Sequence, residues 1–328
     1  MTFEEIKDVA VIGSGTMGPG IALAFAQHGY RVRLCDQVEQ ALRTARSVLS
    51  ASLKTLAKHG LVEASKIPDI EARVDFTTSL KDAAEHADYV VECITEKREA
   101  KTALFQQLGE ICARGAIFAS NTSFLNIFEL VPEDRLPTTV IAHWFAPPHI
   151  LPLVEVVRES KTSDETEKVV VELLRAIGKT PVVMQKYVPG FAINRIQRII
   201  GREVFFLLDN GYITAEQLDL AVKAGLAPRM MVLGLVQRYD FTGLDLSAAN
   251  LANAQYLEAP VDNEPRCLLD LVKQGHCGVK SGKGFYDYQN RSLEEVLGER
   301  DDHLIHILQS EGLRLKSAPG PAAEQTKK

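Results

Sequence analysis

The chain has 328 residues, 46% of them hydrophobic and 24% charged, which is ordinary for a globular protein with room for two domains. A formal net charge of -6 argues against a nucleic-acid partner, while a local basic patch could still receive a small anionic substrate. The five cysteines (Cys35, Cys93, Cys112, Cys267 and Cys277) are odd in number and form no CxxC pair, so neither a disulfide framework nor a metal site is expected. The opening MTFEEIKDVAVIG lacks the sections of a signal peptide and no 18-residue apolar run follows, so the expectation is a cytoplasmic protein without a membrane partner.

In chain order, residues 8–13 (DVAVIG) are a short apolar run suited to a strand buried on both faces of a parallel sheet. A glycine-rich turn at 13–18 leads into an apolar helical stretch at 21–28, and RVRLC at 31–35 reads as the second strand. A long helix is expected over 40–59, with further helices over 79–86, 97–113 and 163–177. Ser163, followed by two glutamates, is the N-cap of the last of these. Strands are expected at 74–77, 88–93, 116–120, 139–143, 153–157 and 181–185. The alternation implies βαβ units and an α/β, Rossmann-type, mostly parallel sheet over 1–187. From 188 to 315 helical periodicity prevails, starting with one long helix at 191–210, and an all-α domain is expected. The tail, 316–328, is rich in Pro, Ala and Lys and reads as disordered.

Gly13-Ser14-Gly15-Thr16-Met17-Gly18 fits GxGxxG. The string alone is weak, but here it follows a buried strand, opens a helix and precedes an acid, Asp36, at the end of the next strand. Gly13 permits the tight turn, Gly15 lets a pyrophosphate approach the backbone, and Gly18 lets the helix pack on the strand. The helix amino terminus offers unpaired N–H groups to phosphate. Asp36 would bind the ribose hydroxyls and repel a 2′-phosphate, which favours NAD over NADP. Arg33 and Arg43 lie near enough in sequence to oppose that preference, and FAD is the rival ligand.

Ser120-Asn121-Thr122-Ser123 follows a strand, His143 ends the next, and Glu155 interrupts the apolar strand LVEVV. A carboxylate there is costly to bury unless paired, and His143 is the partner at hand. Asn194 falls in the first turn of the long helix. These residues suit an alcohol dehydrogenation site. His143 would be the general base, Glu155 would orient its ring, and Ser123 and Asn194 would hold the substrate oxygens.

With VIGSGTMGPGIA, ADYVVECITEKREAK, ASNTS, the His143-to-Glu155 spacing, PGFAINR and GVKSGKGFYDY in this order, the chain resembles the L-3-hydroxyacyl-CoA dehydrogenase family from Val9 to Tyr288. The resemblance implies that Met17 lies within the NAD loop, that Glu96 and Lys101 lie near the nicotinamide and ribose, and that Asn121 touches the cofactor. It also implies that Ser52 and Lys58 lie where coenzyme A binds, and that a helical second domain forms a homodimer. The implied substrate is a 3-hydroxyacyl-CoA, of which 3-hydroxybutyryl-CoA is the short-chain example. Three features depart from the pattern. The chain extends about forty residues past the family's usual end, with a charged helical pattern over 292–308. Ala146 stands where the family's H-F-F-N-P string has its asparagine, and 225–245 (GLAPRMMVLGLVQRYDFTGLD) replaces a P-M-G-P-F-like stretch and brings in Arg229. Arg229 is similar to what relatives acting on free hydroxy acids carry, such as the gulonate (lambda-crystallin-like), carnitine and pyridine-carboxylate dehydrogenases. A non-CoA 3-hydroxy acid is therefore the alternative substrate, with Arg229 on its carboxylate, and a non-catalytic crystallin-like role is a third reading.

Overall fold

A computed structural model describes residues 2–310 apart from 254, 256, 257 and 289. Its first part is built on eight strands: β1 (Asp8–Ile12), β2 (Arg31–Cys35), β3 (Val74–Thr77), β4 (Tyr89–Glu92), β5 (Ile117–Ser120), β6 (Thr139–Trp144), β7 (Leu153–Val157) and β8 (Thr180–Met184). Their order in the sheet is β3-β2-β1-β4-β5-β6-β7-β8. Every pairing is parallel except β6 with β7. The eight residues 145–152 between those two strands are too few for a crossover helix, so β7 has to turn back. β1, β4 and β5 are buried at every residue, and their mostly apolar runs follow from burial on both faces.

Helices α1 (Gly18–Ala26), α2 (Glu39–Lys58), α3 (Ile67–Glu71), α4 (Leu80–Ala84), α5 (Arg98–Ile111) and α6 (Asp164–Ala176) connect or flank the strands. All nine residues of α1 are buried. The amphipathic α2 instead buries one stripe, Leu42, Ala45, Leu49, Leu53 and Leu56, at helical spacing. Ser163 caps α6, its hydroxyl accepting from the Thr166 N–H at 3.1 Å. Strand order reverses between β1 and β4. In such a sheet the crevice beyond the carboxyl ends of these strands is where ligands sit, and the loops after β1, β4 and β5 open there.

The described chain divides into two compact units, one ending at Asn194 and the other beginning at Arg195; the sequence had suggested 187/188. The long helix α7 (Ile193–Asp209) is followed by α8 (Ala215–Ala221), a π-helical turn (Val222–Leu226), α9 (Ala227–Leu233), α10 (Gln237–Thr242), α11 (Leu244–Leu251), α12 (Arg266–Lys273) and α13 (Leu293–Gln309). A reciprocal capping box starts α13: Ser292 Oγ accepts from Glu295 N at 3.2 Å, and the Glu295 carboxylate accepts from Ser292 N at 2.7 Å. The tail expected to be disordered lies outside the described residues. Among those residues no helix is long and apolar enough to cross a membrane, and no cluster of three or more His, Cys, Asp or Glu is placed to hold a metal ion.

Candidate active site

The glycine loop is shaped by close approach. Gly13 has φ +109°, and a Cβ there would lie 2.6 Å from the Cys93 carbonyl oxygen. A side chain on Gly18 would collide with the Gly13 carbonyl, so the start of α1 fits against β1 only without one. Gly15 is different: a Cβ built there meets nothing within 4 Å. Its backbone faces open space beside the amino terminus of α1, which is the cradle a pyrophosphate requires. Met17 is the residue before that first helical turn, and its carbonyl accepts from Ile21 N at 3.0 Å.

Asp36 follows β2. Its Oδ2 accepts from the Ser14 N–H and hydroxyl, both at 2.9 Å, and its Oδ1 accepts from Val38 N at 3.0 Å. These bonds hold the carboxylate against the glycine loop. The two arginines near enough in sequence to receive a 2′-phosphate are paired with other acids. Arg33 pairs with Asp8 at 3.3 Å, and Arg43 with Glu39 at 2.8 Å.

Next to the loop, the ends of β4 and β5 carry a buried polar network. Lys101 Nζ bonds Glu92 Oε1 at 2.5 Å and Glu96 Oε2 at 3.1 Å. Glu96 Oε1 accepts from Thr122 Oγ1 at 2.6 Å and from Ser123 N at 2.5 Å. Burial raises the Glu96 pKa, but the Thr122 hydroxyl, the Lys101 charge and the Ser123 N–H outweigh it, and the net direction is down. Glu92 moves the other way, pushed up by complete burial against the pull of Lys101 and Ser120. Asn121 Oδ1 accepts from Trp144 N at 2.8 Å, tying β5 to β6 and leaving its amide N–H groups for another partner.

His143 and Glu155 face each other across the antiparallel β6–β7 pair. Both are buried, and Nδ1 lies 2.9 Å from Oε2. The other carboxylate oxygen accepts from Ala192 N at 2.9 Å and Ile193 N at 3.0 Å, at the start of α7. Burial would raise the Glu155 pKa; the His143 bond and the two backbone N–H groups outweigh it and hold it low. An ionised Glu155 requires Nδ1 to carry the proton, which leaves the Nε2 lone pair as the basic site. Phe145 and Phe191 rings stand 4.5 and 5.3 Å from the imidazole centroid. Phe191 has φ +50°, a conformation its buried ring pays for and which aims the next two N–H groups at Glu155. Asn194 Nδ2 donates to the Ser123 carbonyl at 3.3 Å.

The first unit thus holds the predicted loop, acid, network and His–Glu pair. Ser52 and Lys58 both lie on α2, Lys58 exposed and Ser52 half-buried. Six residues apart, they point about 120° away from each other around the helix. Arg229 belongs to the second unit, where it is exposed on α9 and donates to the Gly225 carbonyl at 2.9 Å. Ala146 is exposed two residues beyond the end of β6. Sequence reasoning missed Glu92, Thr122 and the N–H groups of Ala192 and Ile193. Of these only Glu92, an acid within the apolar run DYVVEC, carried a readable signal.

The NAD-binding domain of 3-hydroxyacyl-CoA dehydrogenase matches residues 8–187, and the C-terminal domain of the same enzymes matches residues 190–288. The chain belongs to the 3-hydroxyacyl-CoA dehydrogenase family. It is an NAD-dependent oxidoreductase, and the open cradle at Gly15, the fixed Asp36 and the committed Arg33 and Arg43 all fit NAD. The chain is 32% identical over 306 residues to 5-formyl-3-hydroxy-2-methylpyridine 4-carboxylate 5-dehydrogenase of Mesorhizobium japonicum, spanning 92% of this chain and 97% of that one. A crystal structure of a dehydrogenase of that name superposes with a TM-score of 0.83 at 31% identity, over 93% of this chain and 98% of the other. The probable 3-hydroxybutyryl-CoA dehydrogenase of Deinococcus radiodurans is 37% identical over 287 residues, 85% of this chain and 99% of its own. L-carnitine dehydrogenase of Streptomyces griseus subsp. griseus is 29% identical over 325 residues, 96% of this chain and 93% of its own.

Proposed function

We propose that this dehydrogenase oxidises the 3-hydroxyl of its substrate with His143 as general base and Glu155 as its partner. One observation carries the reading: the buried 2.9 Å contact between His143 Nδ1 and Glu155 Oε2. When bound, NAD accepts the hydride. His143 Nε2 takes the hydroxyl proton, and Glu155, held low in pKa, stabilises the resulting imidazolium. Ser123 and Asn194, linked through the Ser123 carbonyl, would hold the substrate oxygens. Gly13, Gly15, Met17 and Gly18 would cradle the pyrophosphate, Asp36 would bind the ribose, and Glu96, Lys101 and Asn121 would meet the nicotinamide half.

For the substrate, the reading that family membership supports is a short 3-hydroxyacyl-CoA such as 3-hydroxybutyryl-CoA, with Ser52 and Lys58 along the coenzyme A. A second reading, a free hydroxy acid bound through Arg229, is supported by a different observation. The pyridine-carboxylate and carnitine relatives match 92% and 96% of this chain, against 85% for the Deinococcus relative. NADH formation on 3-hydroxybutyryl-CoA, gulonate and carnitine decides: turnover of the CoA ester alone sinks the second reading, and turnover of a free acid alone sinks the first. Tight NAD binding without turnover of any hydroxy acid would favour the crystallin-like role. We also propose a homodimer through the second unit, where Val232, Val236 and Leu251 are 80%, 82% and 84% exposed. Light scattering that gives a monomer mass would refute this.

A further inference from the structure

Glu92 has no part in the chemistry outlined above, yet it is the most deeply placed acid in the first unit. It ends β4, is 0% exposed, and its carboxylate accepts three hydrogen bonds. Oε1 accepts from Lys101 Nζ at 2.5 Å and from Ile94 N at 2.8 Å. Oε2 accepts from Ser120 Oγ, whose hydroxyl in turn accepts from Thr122 N at 3.2 Å. Lys101 is itself 1% exposed, and two of its three N–H donors go to Glu92 and Glu96, which leaves one for a bound molecule.

A carboxylate buried this fully has to be paired and hydrogen-bonded, and Lys101 supplies the opposite charge. Glu96 alone could neutralise Lys101, but Glu96 is also bound to Thr122 Oγ1 and Ser123 N. If Glu92 were neutral, Lys101 would lean on Glu96, and the strain would pass to the Thr122–Ser123 turn. The Lys101 ammonium is thus held between two carboxylate anchors, Glu92 Oε1 at 2.5 Å and Glu96 Oε2 at 3.1 Å.

We propose that Glu92 is a positioning residue for NAD binding: it holds Lys101 in place and, through Ser120, steadies the turn that carries Asn121 and Ser123. The proposal rests on the reading that Lys101 and Glu96 meet the cofactor. Glu92 touches neither NAD nor substrate; it acts only through Lys101 and Ser120.

A double-mutant cycle read by calorimetric NAD affinity tests it: an effect of Glu92 exerted through Lys101 shrinks when Lys101 is gone, whereas a general loss of stability lowers affinity alike in both backgrounds. Lys101→Met should weaken NAD binding. Glu92→Gln, which keeps the size of the side chain and removes its charge, should weaken it roughly tenfold, within the range of coupled neighbours. In the Lys101→Met background, Glu92→Gln should then cost less than about threefold. NAD affinity of Glu92→Gln within twofold of wild type, or fold-losses that multiply in the double variant, would overturn the proposal. An unchanged affinity in Lys101→Met would overturn the cofactor-site reading and the proposal with it. If Glu92→Gln alone does not fold, because it leaves a buried ammonium short of charge, the double variant removes both charges and is compared with Lys101→Met. Affinity within about threefold of Lys101→Met supports the proposal, and a larger loss in the double variant overturns it.

Discussion

Glu155→Gln is a near-isosteric change whose consequence follows from three hydrogen bonds. Oε1 accepts from two backbone donors, Ala192 N at 2.9 Å and Ile193 N at 3.0 Å, and these cannot rotate away. A glutamine has one oxygen, and satisfying both donors commits that oxygen to them. Turning the amide around would leave two buried N–H groups facing an NH2, at about 1–3 kcal/mol each. The glutamine NH2 therefore faces His143 Nδ1, 2.9 Å from the present carboxylate oxygen. Nδ1 must then accept, so the ring proton moves to Nε2, and the atom proposed to take the hydroxyl proton loses its lone pair. A histidine trapped in the wrong tautomer by an acid-to-amide change costs on the order of 10⁴ in kcat in the serine-protease case, and roughly 10³–10⁴ is expected here. NAD affinity should not change, because the Glu155 carboxylate is hydrogen-bonded to His143 and the start of α7. Steady-state kcat and calorimetric NAD affinity are the two measurements. A Glu155→Gln enzyme with kcat within threefold of wild type would refute the tautomer argument.

Gly15→Ala should leave the melting temperature of the free protein unchanged or slightly raised, since its Cβ meets nothing within 4 Å, yet weaken NAD binding by about tenfold or more. Gly18→Ala should do the reverse first, lowering the melting temperature through the collision with the Gly13 carbonyl; equal behaviour of the two variants would refute the packing argument. On acidification, Asp8, held low by the Arg31 guanidinium, together with Glu96 and Glu155, adds stability above the ordinary carboxylate pKa. That stability is lost as pH falls through their depressed values, while Glu92 works in the opposite sense. Urea midpoints should therefore fall below about pH 4, with a smaller loss in Glu155→Gln. Lys179 is buried and its pKa is pushed down to about 7 from 10.5, so the unfolded chain holds the extra proton between those values. Wild-type stability relative to Lys179→Met should rise from pH 7 to pH 10; a flat difference would refute the burial argument.

Much of the first unit was legible because its physics is local. Nearly continuous apolar runs such as DVAVI and YVVE suit strands covered on both faces, and the glycines at 13 and 18 stand where the backbone leaves no room for Cβ. An acid inside LVEVV pointed to a buried pair, and the register places it opposite His143. The same logic applied to Glu92 in YVVE and went unused. The short 145–152 connection already implied an antiparallel turn. By contrast, the positive φ of Phe191 and the direction of the Ala192 and Ile193 N–H groups depend on where the imidazole ring and β7 lie, which no local pattern encodes. The second unit was legible only as helical, because short helices broken at Gly234 and Gly243 carry little periodicity.

The central claim is that His143 is the base of an NAD-dependent alcohol oxidation. The most direct measurement is NADH formation by His143→Gln, on whichever hydroxy acid or ester the wild type turns over, alongside NAD affinity for the same variant. The account predicts unchanged NAD affinity and a kcat lowered by roughly 10²–10⁴-fold. Near-full activity in that variant would contradict it.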